Sequence, residues 1–294
     1  MMRSRIAALI LLSQPVLMAH AGEPLKPHDL WSAWEFEPGV VLPLLITAIL
    51  YSRGARISRG VTPSEVISFW AGWTTLALSL VSPLHSLGGV LFSAHMAQHE
   101  ILMLVSAPLL ALSRPLVPLL WGMPEQYRRR LGAWSKREVI QTVWQTVTRP
   151  WVAWWVHAAA IWLWHIPAWF QATLSSEWVH TAQHLSFLGS ALLFWWSLLF
   201  ARDRTGYGLG MLYIFTTGVH TSILGALIAL TNSVWYPVYR ETRNWGLTAL
   251  EDQQLGGLIM WIPASVVYLG AGLAMLLLWL RESDLMAGRS GYAQ

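Results

Sequence analysis

Cysteine is absent from all 294 residues. That excludes disulfides, thiolate zinc sites, iron–sulfur clusters, C-x-x-C-H haem attachment and cysteine nucleophiles, so His, Met and carboxylates must carry any metal or redox chemistry. Charge is scarce too. Asp, Glu, Lys and Arg make up 12% of the chain, against about a quarter in soluble domains. With 55% hydrophobic residues, the bilayer is the natural solvent. The formal charge of +4 does not point to nucleic acid, because the basic residues form no single stripe.

What is present reads first as a secretory signal. Arg3 and Arg5 precede an apolar stretch that ends at Ala19-His20-Ala21, the order of n-region, h-region and A-x-A cleavage site. Residues 1–21 are expected to be a signal peptide and 22–37 an outer segment. Apolar runs follow at about 38–51, 65–83, 90–112, 150–169, 178–200, 208–230 and 256–280. Most meet the roughly 20 residues that a helix needs to cross a ~30 Å hydrocarbon core. Unsatisfied backbone is too costly there for anything but helices. The expectation is an all-α, polytopic membrane bundle of seven helices over 38–281, with a cytoplasmic tail at 282–294. The first run is short and has to recruit Trp34 and Phe36. Residues Glu125 to Trp134 are expected to form a helix outside the bilayer.

Loop charge provides an independent test, since Lys and Arg collect on the cytoplasmic side. With the mature N-terminus outside, the inner segments hold Arg53, Arg56, Arg59, Arg114, Arg128, Arg129, Arg130, Lys136, Arg137, Arg149, Arg202, Arg204, Arg281 and Arg289. The outer ones hold only Lys26, Arg240 and Arg243. Fourteen against three predicts a periplasmic N-terminus and a cytoplasmic C-terminus in a bacterial inner membrane.

Ionisable groups at membrane depth are costly and mark function. Seven of the ten histidines fall within the expected spans. At 1.5 Å per residue, His95 and His99 lie ~6 and ~12 Å below the outer edge, and His180 and His184 ~3 and ~9 Å. On the same scale, His165 and His220 rise to within ~9 and ~14 Å of that edge. Six histidines thus share one outer slab, and His157 lies deeper with a structural role. His95 and His99 are four apart, as are His180 and His184, so each pair shares a helix face and can serve one transition metal. Met103 extends the first row, Met96 adjoins it, His85 lies at the mouth, and Asp252 belongs to the loop that closes it. Imidazole with thioether suits copper. Gln98 and Gln183 are expected to hydrogen-bond neighbouring helices. Glu100 is the one carboxylate well inside a span, with a functional and a structural reading both open.

These residues resemble the seven-helix, multi-span CtaG family of cytochrome c oxidase assembly factors. The resemblance rests on H-M-A-Q-H-x-x-L-M-L-V-x-A-P-L-L-x-L-x-R-P-L at 95–116, L-W-H-I-P-A at 163–168, and H-x-x-x-H-L-S-F at 180–187 with L-F-W-W at 193–196. E-D-Q-Q-L-G-G-L-I-M-W-I-P at 251–263 completes it. It covers about residues 40–280, and Glu100 stands where the family's run is mostly apolar. The resemblance implies support of a haem-copper oxidase, through the copper centre of its catalytic subunit, without catalytic turnover. Oxidase subunits and a periplasmic copper donor are the implied partners beside the lipid. The candidate metal residues are His95, His99, His180, His184, His165, His220, Met103, His85 and Asp252. The competing reading is an electron carrier holding haem b between histidine axial ligands. A proton relay through Glu100 and a purely structural scaffold are the others.

Overall fold

The computed structural model describes residues 25–200 and 202–291; the expected signal peptide lies outside the described residues. Among them there are helices and no strand. Helix α1 spans Pro38–Ile57 and opens on proline, whose missing N–H costs nothing at a helix start. It gains its length downstream, through Ser52 to Ile57, and not from Trp34 and Phe36, which precede the proline and stack on each other at 6.4 Å. Helix α2, Pro63–Val81, begins with a reciprocal cap. The Glu65 N–H donates to Thr62 Oγ1 at 3.3 Å, and the Thr62 N–H donates to the Glu65 carboxylate at 2.8 Å. The short α3, Pro83–Gly88, leads into α4, Phe92–Leu112.

Two of the expected straight spans are interrupted, both at prolines. In α4, residues Ile101–Ser106 form a π-helical turn. Pro108 lacks an N–H and would press on the carbonyl four residues earlier, so the preceding turn widens. The Ala107 N–H accordingly reaches back to Leu102, and the freed Met103 carbonyl accepts the Trp195 indole N–H at 2.9 Å. The expected span 150–169 divides into α8, Pro150–Trp164, and α9, Pro167–Ser175. Pro167 pushes Ile166 into an extended conformation, ψ 124°.

Between these lie α5 (Leu116–Gly122), α6 (Glu125–Ser135) and α7 (Glu138–Val147). The chain bends by 69° between α4 and α5, where Arg114 adopts φ 46° before Pro115 and places its guanidinium 4.6 Å from the Phe200 ring centroid. Then follow α10 (Glu177–Phe200), α11 (Arg202–Leu230, broken at Gly206) and α12 (Ala249–Gly291). Thr248 and Glu251 cap α12 as Thr62 and Glu65 cap α2. Among the described residues, four helical segments are long and apolar enough to cross a membrane: Pro38–Ile57, Glu177–Phe200, Gly206–Leu230 and Ala249–Asp284; α4 with α5 makes a fifth if the bent pair is one span. All seven expected segments are nonetheless helical.

Helix α4 packs against α2, α10 and α12, and this position places its histidines at the centre of the bundle. One apolar cluster joins Phe92, Met96 and Met103 of α4 to Phe187 and Phe194 of α10 and Tyr268 of α12; a second joins Tyr51, Phe69 and Leu102. Helices α1 and α5 meet backbone to backbone. A Cβ on Gly54 would overlap the Pro118 carbonyl, and one on Gly122 the Leu50 carbonyl. Such small-residue contacts let helices approach where water supplies no hydrophobic drive between them.

Candidate metal centre

Each of α4 and α10 carries its histidine pair toward the other, so that the rings of His95 and His99 meet those of His180 and His184. His95, His180 and His184 offer ligand atoms that all lie within 4.8 Å of one another. The His99 ring stands 4.4 Å from that of His95 and 5.4 Å from that of His184, and His180 and His184 are 4.2 Å apart. His95 and His99 are fully buried, whereas His180 and His184 are half-buried.

The polar neighbours prepare the rings. The Gly88 carbonyl stands 3.2 Å from His95 Nδ1 as a hydrogen-bond acceptor. This is how metal-ligating imidazoles are commonly held. The Gln183 side-chain oxygen, likewise an acceptor, lies 3.2 Å from Nε2, so a neutral ring donates to only one of the two. Tyr239 donates its hydroxyl to the same Gly88 carbonyl at 3.2 Å. Burial, with Asp252 and Tyr236 adding to it, pushes the Tyr239 phenol well above its ordinary range, so it stays a donor. His99 has no hydrogen-bond partner on either ring nitrogen, and His180 and His184 have none on Nε2, although all four atoms are buried. An unmet buried polar group costs about 1–3 kcal/mol. Such a concentration of nitrogen donors in one place is the arrangement that a transition-metal ion satisfies.

The remaining expected residues divide. His85 lies against the group without being part of it, its ring 5.3 Å from His180 and 5.9 Å from His184. His165 caps the end of α8, with Nδ1 2.6 Å from the Ile161 carbonyl and Nε2 without a partner; it shares the Phe187 ring with His99. His220 stands apart, against Trp154 at 5.3 Å and accepting the Trp162 indole N–H at 3.3 Å. The side chain of Met103 belongs to the apolar core, past the start of the π turn, where the i, i+4 row no longer continues. Asp252 has both oxygens engaged at the start of α4. It accepts the Phe92 N–H at 2.7 Å, the Ser93 N–H at 3.1 Å and the Ser93 hydroxyl at 2.5 Å. His157 hydrogen-bonds Ser190, and one oxygen of Glu100 is buried without a partner.

Glu35 was not among the expected residues. Its carboxylate stands 3.6 Å from His85 Nε2, and nothing in the local sequence links position 35 to a histidine fifty residues on. The two glutamines bond across helices as expected, but toward histidines: Gln98 to His85 and Gln183 to His95.

Uncharacterized proteins of Mycobacterium bovis and Mycobacterium tuberculosis are each 24% identical over 270 residues, and one of Mycobacterium leprae is 21% identical over 285. Each match takes in 88% of this chain and 41% of the relative. The chain therefore spans about two fifths of the length of the curated relatives it matches. No solved structure matches. The family described as cytochrome c oxidase caa3 assembly factor (Caa3_CtaG) matches residues 44–282, which include every histidine of the cluster. By that match the chain belongs to the caa3 cytochrome c oxidase assembly factors.

Proposed function

We propose that this chain supports assembly of a haem-copper cytochrome c oxidase by holding copper as cargo at the histidine cluster and presenting it to the oxidase's catalytic subunit. The observation that carries this is the convergence of His95, His180 and His184 beside His99, with four buried ring nitrogens left without partners. Neutral imidazoles bind copper without thiolate, and an assembly factor must release what it binds, which a set of nitrogen donors permits better than a closed thiolate cage. The close ring packing, 4.2 to 5.4 Å within the cluster, favours an ion over a haem b macrocycle between α4 and α10.

In this proposal the chain crosses a bacterial inner membrane seven times. The broken pair α8 and α9 serves as one crossing, and α2, 19 residues long, as another. The N-terminal side faces the periplasm, where a copper donor reaches the cluster, and the basic loops face the cytoplasm.

Metal analysis of the purified chain tests the reading. Wild-type protein is expected to retain copper, and a variant with His95, His180 and His184 changed to alanine to lose it; equal copper in both removes the assignment. Membranes lacking the chain should recover oxidase activity on copper addition if delivery is its role, and stay inactive if it acts only as a scaffold. A Soret band in the purified protein would restore the haem reading.

A further inference from the structure

We propose that Glu35 and His85 form the port through which the cation reaches and leaves the histidine group, Glu35 as the charge that collects it and His85 as the lid over His180. This rests on the copper reading of the cluster and adds its route.

The tautomer of His85 can be worked out from its neighbours. The Ser79 carbonyl can only accept, so the Gln98 atom 2.6 Å from it is the amide nitrogen. That nitrogen also stands 2.9 Å from His85 Nδ1 and directs its second hydrogen there. Nδ1 therefore accepts, and a neutral ring carries its proton on Nε2, toward the Glu35 carboxylate at 3.6 Å. Nδ1 is thus hydrogen-bonded to Gln98, and Nε2 faces the Glu35 carboxylate. The ring lies flat against His180, 5.3 Å between centroids and 10° between planes. In this state His85 covers the cluster without coordinating anything.

Glu35 is placed with comparable care. Its N–H donates to the Val81 carbonyl at 3.0 Å, and its Oε1 lies 2.7 Å from the Ser86 hydroxyl. Its side chain is 50% exposed and that of His85 19%, against 0 to 1% for His95 and His99. The pair therefore forms a graded path from surface to buried donors. A cation attracted to Glu35 offsets the carboxylate charge that faces Nε2–H, and the ring, no longer drawn toward it, can turn from His180. Carboxylate charge at the mouth of a low-dielectric cleft raises the local concentration of cations.

The test separates rates from equilibrium. Purified full-length chain is mixed with the Cu(I)–bicinchoninate complex, and copper transfer is followed by the loss of chelator colour. Glu35→Gln, which keeps the shape and an acceptor for Ser86, is expected to slow uptake about tenfold, with the affinity changed less than about twofold. His85→Ala is expected to speed both uptake and release while leaving affinity unchanged. Unaltered uptake in Glu35→Gln overturns the port, and a large loss of affinity in His85→Ala overturns it by making His85 a ligand. Absence of copper uptake by the wild-type chain overturns the copper reading and the port together, so the two failures are distinguishable.

Discussion

Asp252 of α12 caps α4 at Phe92, 160 positions earlier in the chain. A carboxylate at a helix N-terminus satisfies otherwise unpaired N–H groups and complements the helix dipole. Here it comes from another helix, so the segment carrying His95 and His99 is tied to α12. Asp252→Ala is expected to lower stability by about 1.5–3 kcal/mol for charged hydrogen bonds lost in a buried setting, read as a lower thermal midpoint. Asp252→Asn should fall between the two, because one acceptor survives. A direct metal ligand would instead lose copper in Asp252→Asn with the thermal midpoint unchanged.

His99 offers a test that separates function from packing. A histidine kept for structure destabilises the protein when replaced. Because both ring nitrogens are buried without partners, His99→Phe is expected to raise the stability of the metal-free chain by about 1 kcal/mol and to reduce its copper content. A drop in metal-free stability, measured by thermal denaturation, would count against a ligand role.

The π turn in α4 is stabilised from outside. Trp195→Phe preserves a ring beside Phe194 and Tyr268 but removes the donor to the Met103 carbonyl. The expected cost is about 1–2 kcal/mol for an orphaned buried acceptor, read as a lower thermal midpoint. Trp195→His, if it restores the bond, should recover part of it.

Alkaline pH should weaken the outer loop. Burial raises the phenol of Tyr239, and also that of Tyr236, in the folded state. Above a pH of about 10 the unfolded chain releases protons that the folded chain retains, so stability falls as pH rises. Thermal midpoints between about pH 9 and 11 should fall less in the Tyr236→Phe, Tyr239→Phe double variant than in wild type. Parallel curves would contradict this.

Because the chain has no cysteine, single introduced cysteines report orientation without background. A membrane-impermeant maleimide added to intact cells should label Asn244→Cys directly and Gln126→Cys only after lysis, as expected from the basic-loop count. The reverse pattern would invert the proposed topology.

Much of the architecture is legible in the sequence because apolar length and the four-residue spacing of a helix face are one-dimensional signals. The seven helical segments and the two histidine pairs follow from them. Depth along a span, however, says nothing about direction around the helix axis. His220 shares the depth of the cluster yet turns toward Trp154 and Trp162. Straight-helix spacing also fails where a proline alters the turn, which is why Met103 does not extend the row of His95 and His99 and why His165 ends a helix. Glu35 and the Asp252 cap were hidden for another reason: both act on residues far away in sequence, and only the folded chain brings them together.

The two halves of the cluster are anchored differently. Helix α4 is pinned at its start by Asp252 and at its middle by Trp195, whereas His180 and His184 stand on the first two turns of α10, directly after the bend at Ser176. His95 and His99 thus act as the stationary jaw of a clamp. In the proposed copper site, the α10 pair, which follows a helix break at Ser176, is the side less firmly held at its helix start.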